Sequence, residues 1–141
     1  MSKEEFLAEA DHYGKPVFKR ILDLAESHLY PIHWGTKGFS LNVDINGVHV
    51  VVCFGYPPNS VFKQSLYTGI VGRGGLLSKI NASDKDAESM LLFARKTGLF
   101  QKAGSELKCI INREFSEVEM ESLLNWVEKM AVTIRELGLR E

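Results

Sequence analysis

Phe39-Ser40-Leu41-Asn42-Val43-Asp44-Ile45-Asn46-Gly47-Val48-His49-Val50-Val51-Val52-Cys53-Phe54 is the stretch that decides the fold. Apolar residues Phe39, Leu41, Val43 and Ile45 alternate with Ser40, Asn42 and Asp44, which is the period of a half-buried strand. Asn46-Gly47 follows, the dipeptide that best tolerates the positive φ angles of a two-residue hairpin turn. With that turn, Ile45 faces Val48, Val43 faces Val50, Leu41 faces Val52 and Phe39 faces Phe54 on one buried face. Asp44 with His49, Asn42 with Val51 and Ser40 with Cys53 take the other face.

Outward from the hairpin the chain turns helical. From Ser2 to His28 the residues Phe6, Ala10, Tyr13, Val17, Ile21, Leu24 and Ala25 recur at helical spacing, broken by Gly14-Lys15-Pro16, so two short helices or one kinked helix are expected. Val61 to Ile70 fits a helix or an edge strand, and its β-branched and aromatic content favours the strand. Ser83 caps a helix to about Lys96, with Gly98 as its stop. Leu107 to Asn112 reads as a buried strand. Ser116 and Glu119 form a capping box that opens the longest helix, ending at Gly138. In that helix Met120, Leu123, Val127, Met130, Ile134 and Leu137 make a seam that packs on the sheet or the N-terminal helices, or else joins two chains as a homodimer. Strands in a run and helices gathered on one face predict one α+β domain over residues 1–141, with a predominantly antiparallel sheet of three to five strands.

The 141 residues, 45% hydrophobic and 25% charged, suffice for a core without disulfides or metal. Seventeen basic and eighteen acidic side chains exclude a generally basic nucleic-acid coat, although a local patch that binds nucleic acid is not excluded. The balance is a cancellation. Residues 1–36 carry four basic and six acidic groups, 116–141 carry three and six, and 37–115 carry ten and six. Asp44 is the sole acid between Lys37 and Ile80. The acidic N-terminus lacks a signal-peptide pattern, no apolar run is long enough for a membrane helix, and Cys53 and Cys109 sit in apolar runs without metal or redox spacing. A soluble cytoplasmic protein with two buried free thiols, no membrane association and no cofactor is expected.

Four groups of residues are candidates for function. Gly69, Gly72, Gly74 and Gly75 fall within seven residues, and successive glycines let backbone N–H groups converge on an anion. Arg73 and Lys79 would add charge, with Lys37 and Lys63 nearby on the basic side of the sheet. Gly75-Leu76 stands where a Walker loop requires Lys-Ser/Thr, and no dinucleotide fingerprint occurs. Glu106-Leu107-Lys108 has the E-x-K spacing of metal-dependent nucleases, which also need an acid on a neighbouring strand. Asp44, 62 positions upstream, is a poor third group. His49 and Asp44 form a cross-strand charge pair, too far from Ser40 or Cys53 for a triad, and no histidine shows metal-ligand spacing. Tyr30-Pro31-Ile32-His33-Trp34 and Gly55-Tyr56-Pro57-Pro58 place aromatic loops at the far end of the hairpin, where they cap the core or line a pocket. The leading expectation is a non-catalytic binding or adaptor domain. Its partner is an anionic, phosphate-containing ligand or a protein, met through Lys37, Lys63, Gly72, Arg73, Gly74, Gly75 and Lys79. A metal-dependent phosphodiesterase or nuclease using Glu106 and Lys108, and a structural homodimer subunit, are the alternatives.

Overall fold

The computed structural model describes residues 1–72 and 75–139. The chain opens with helices α1 (Lys3–Glu9) and α2 (Gly14–Ser27), then runs through strands β1 (Ile32–Trp34), β2 (Phe39–Ile45), β3 (Val48–Tyr56) and β4 (Ser65–Thr68). Helices α3 (Leu76–Lys79) and α4 (Asp84–Lys96), strands β5 (Gln101–Ala103) and β6 (Glu106–Ile110), and helix α5 (Glu117–Leu139) complete it. The six strands form one antiparallel sheet in the order β1-β2-β3-β4-β6-β5, so the fold is α+β. It has one strand more than the upper expectation. β1 and β5 are three residues each, too short for alternation to show in a sequence. The ambiguous stretch yields β4, which lies between β3 and β6 rather than at an edge.

The hairpin forms at Asn46-Gly47, with φ of 52° and 85°, and the Gly47 N–H donates to Asp44 Oδ1 at 2.8 Å. Pairing near the turn follows the expected register: Ile45 with Val48, Asp44 with His49, Val43 with Val50, Asn42 with Val51. Beyond Asn42 the register shifts by one, leaving Val52 as the extra residue of a bulge. Leu41 therefore faces Cys53, Ser40 faces Phe54 and Phe39 faces Gly55, in place of the pairs expected from strict alternation. Cys53 enters the core and Phe54 turns to the opposite face. The reason is volume. Phe6, Phe18, Trp34 and Phe39 already fill that end of the core, with ring centroids 4.8 Å apart for Phe6 and Phe18, 5.1 Å for Phe6 and Phe39, and 5.4 Å for Trp34 and Phe39. Bare Gly55 is the seat for the Phe39 ring, which a Cβ at that position would strike.

Helix α5 crosses β2 and β3 and is flanked by α2 and α4. Met120, Leu123, Val127, Met130 and Ile134 are buried against the chain's own sheet and helices, so this seam is filled within one chain. Both capping boxes form: Ser83 with Asp86 opens α4, and Ser116 with Glu119 opens α5. Phe100, just before β5, packs on Trp126 of α5 at 4.6 Å. With the long helices α2, α4 and α5 on one face, the other face of the sheet carries His33, Ser40, His49, Phe54, Tyr56, Tyr67 and Lys108, all half-buried except the exposed His33. No helix among the described residues is long and apolar enough to cross a membrane.

Candidate functional site

The glycine segment does gather backbone N–H groups around an anion, and that anion is the side chain of Glu106. Thr68 Oγ1 and the Ile70 N–H donate to Oε1 at 2.8 and 3.0 Å, and the Val71 and Gly72 N–H groups each donate to Oε2 at 2.8 Å. The Gly75 N–H is turned to Gly72 O at 3.1 Å. The amides expected to meet an external ligand at Gly72 and Gly75 are thus committed inside the chain. Arg73 and Gly74 lie outside the described residues. Lys37, Lys63 and Lys79 are exposed.

The same four bonds occupy both oxygens of Glu106, the carboxylate that the E-x-K reading assigned to a metal. Asp44 lies on β2 and Glu106 on β6, with β3 and β4 between, so their backbones stand roughly 14 Å apart across the sheet. A further offset along the strands adds to this, because Asp44 faces His49 whereas Thr68, beside Glu106, faces Cys53. One ion with ligands at about 2 Å cannot join them. No group of three His, Cys, Asp or Glu side chains among the described residues is placed to hold a metal. Burial pushes the thiols of Cys53 and Cys109 up to about 12, so both behave as small apolar core groups.

A different constellation occupies the open face of the sheet. His33 on β1 is opposite Ser40, and His49 on β3 is opposite Asp44, so the two imidazoles approach from either side of Asn42 on β2. His33 Nε2 and His49 Nδ1 meet at 2.7 Å, one nitrogen donating and the other accepting. The expected Asp44 and His49 pair is replaced by this one, since Asp44 Oδ1 holds the hairpin turn. Beneath the imidazoles Asn42 is 2% exposed, and its Nδ2 donates to Pro31 O, Ser40 O and Ser40 Oγ at 3.3, 3.2 and 3.0 Å. The bond to Pro31, just before β1, ties that segment to β2, and the Ser40 hydroxyl keeps its hydrogen for another acceptor. His33, Ser40, His49, Val51 and Lys79 border a hollow of about 390 Å³.

His33 and Ser40 also border a second hollow, of about 360 Å³, with Trp34, Thr36, Lys37, Phe54, Tyr56 and Phe62. The two hollows therefore lie side by side along the sheet face as a trough, with His33 and Ser40 common to both. Its aromatic wall is continuous: Tyr56 lies 4.4 Å from Phe62 and 5.5 Å from Tyr67, and Phe62 lies 5.4 Å from Tyr67. Burial, with the neighbouring Tyr67 adding to it, raises the Tyr56 phenol above its ordinary range, so it stays a neutral hydrogen-bond donor. Lys108 stands beside Tyr67 as its cross-strand partner. A separate groove of about 530 Å³ lies between α2 and the start of α5, lined by Tyr13, Val17, Phe115 and Met120, with the ion pair of Arg20 and Glu117 at its rim.

Comparison of the chain with protein families, with curated proteins and with solved structures finds no match. Of the residues expected at a site, Lys37 and Lys79 border the trough, and the two aromatic loops do meet, through Trp34 and Tyr56. His33, Phe54, Tyr67 and Lys108 carry no local signal as a group. Strand pairing alone brings them together, and the Val52 bulge turns Phe54 toward them.

Proposed function

We propose that the protein is a non-catalytic binding domain whose ligand is anionic and lies on the open face of its sheet. The observation that carries this reading is the pair of adjoining hollows, with an imidazole pair and Lys79 at one end and half-buried aromatic rings at the other. Half-buried rings gain free energy when a flat or apolar group covers them. Among the described residues that border the two hollows, Lys37 and Lys79 bring positive charge, while Asp44, beside His49, accepts from the Gly47 N–H of its own hairpin. The glycine loop carries less of this reading than the sheet, because Glu106 already fills its amides.

Thermal unfolding of the full chain with inorganic phosphate tests it. A ligand that binds only the folded state stabilises it by about 2.7 kcal/mol at a hundredfold excess over Kd. The expected result is a rise of several degrees in Tm that Lys79→Ala and His33→Ala reduce. The proposal fails if phosphate at tens of millimolar leaves Tm unchanged, or if both variants respond like the parent.

A further inference from the structure

Resting on that reading, we infer that the trough takes one nucleoside monophosphate unit, with the base in the aromatic hollow and the phosphate at His33, His49 and Lys79. Three features of the site converge on this ligand.

The aromatic end is walled by Phe54, Tyr56 and Phe62, which suits a flat ring that stacks on their faces. Its rim is polar, with the hydroxyls of Thr36 and Ser40 and the phenol of Tyr56, so the ring that fits best is a heterocycle with its own donors and acceptors. A plain hydrocarbon ring would leave those groups unpartnered where it excluded water.

The other end is built for a compact anion. The hydrogen bond between His33 Nε2 and His49 Nδ1 leaves His33 Nδ1 and His49 Nε2 for a ligand, and Lys79 offers an ammonium beside them. Among the described residues, the charged groups that face the imidazole pair are Asp44 from β2 and Lys79 from α3. Phosphate strengthens this end by accepting from the Lys79 ammonium and from whichever outer imidazole nitrogen carries hydrogen, a charge-assisted arrangement.

The spacing selects a single nucleotide. The imidazoles meet over Asn42, and the rings begin at Phe54, which the bulge at Val52 sets opposite Ser40, two residues along β2 and about 7 Å away. That is close to the reach from base to phosphate within one nucleotide, and Ser40 lies between the two ends. An extended peptide recognised through its main chain needs a free strand edge, whereas these rings and nitrogens project from the face of the sheet.

Calorimetric titration of the full chain separates the parts. The probes are adenosine monophosphate, adenosine, inorganic phosphate, phosphotyrosine and a 5′-phosphorylated pentaribonucleotide. The inference expects the monophosphate to bind at least tenfold tighter than adenosine or phosphate alone. Lys79→Ala and His33→Ala should bring its affinity down to that of adenosine, and Tyr56→Leu should bring it down to that of phosphate. Both substituted positions at the phosphate end are exposed, so the variants keep the fold, checked by circular dichroism. A pentanucleotide at least tenfold tighter than the monophosphate identifies the end of a strand as the source, and equal affinity identifies the free nucleotide; both support the inference. Phosphate bound at His33 and Lys79 with no gain from the base overturns it while leaving the anion reading in place. Tighter binding of phosphotyrosine than of any nucleotide overturns it in favour of a protein ligand. No binding by any probe overturns both.

Discussion

Single residues carry two of the structure's sharper consequences. Glu106 accepts four hydrogen bonds and holds residues 70–72 to β6, so its role is that of an internal anion. Glu106→Ala leaves those donors to water or to nothing and is expected to destabilise the fold by about 2 kcal/mol. Hydrogen exchange should then quicken at Ile70, Val71 and Gly72; unchanged protection there would show that Glu106 does not hold the loop. Glu119 is the second case. Arg113 donates to both of its oxygens at 2.9 and 2.7 Å, and with the Ser116 N–H this lowers its pKa from 4.5 to about 2. A carboxylate depressed in the folded state stabilises above its unfolded pKa and loses that contribution as pH falls through the folded one. Glu119→Gln should therefore cost about 1 kcal/mol at neutral pH, after allowance for solvent screening. The gap between parent and variant in urea titrations should close between about pH 4.5 and pH 2. A gap that persists at pH 2 would contradict the assignment.

Elements show how far local signals reach. Every helix of more than four residues shows as a stripe, the Ser83 cap and the Ser116–Glu119 capping box are readable from their positions, and Asn46-Gly47 marks the turn, because each depends on residues within a few positions of one another. The far half of the hairpin departs from the expected alternation. Strict alternation puts Phe54 in the core, and the bulge at Val52 puts it outside. That choice rests on rings from α1 and α2 that no inspection of the hairpin reveals. Gly55→Ala tests the packing that goes with it. The added methyl meets the Phe39 ring, and overpacking of this kind typically costs about 1–3 kcal/mol. The urea midpoint should fall with little change in m, and Phe39→Leu in the same background should recover part of the loss. If Gly55→Ala is neutral, Phe39 has room to move and the volume argument for the bulge fails.

At the scale of the whole molecule, acidic terminal segments bracket a middle with a surplus of basic groups, a distribution that the net charge of −1 conceals. In three dimensions the seam of α5 is filled by the chain's own sheet, so any second copy would have to use another surface. Binding of a phosphate at Lys79 and the imidazoles should weaken as salt rises, because these groups are solvent-accessible and the Debye length falls from about 10 Å at 0.1 M to about 3 Å at 1 M. A loss of severalfold in affinity between 50 and 500 mM sodium chloride is expected, and salt-independent binding would place the ligand on the rings alone. By itself the sequence determined the α+β class, the principal helices and their caps, the hairpin turn and the buried face of α5, since these follow from periodicity and from contacts close along the chain. Only the tertiary structure decided that Glu106 fills the amide nest 34 to 36 positions away, that His33 meets His49 across 16, and that Phe54 joins the open face. Those outcomes depend on which distant segments share space, and a residue's type and spacing do not encode that until the chain has packed.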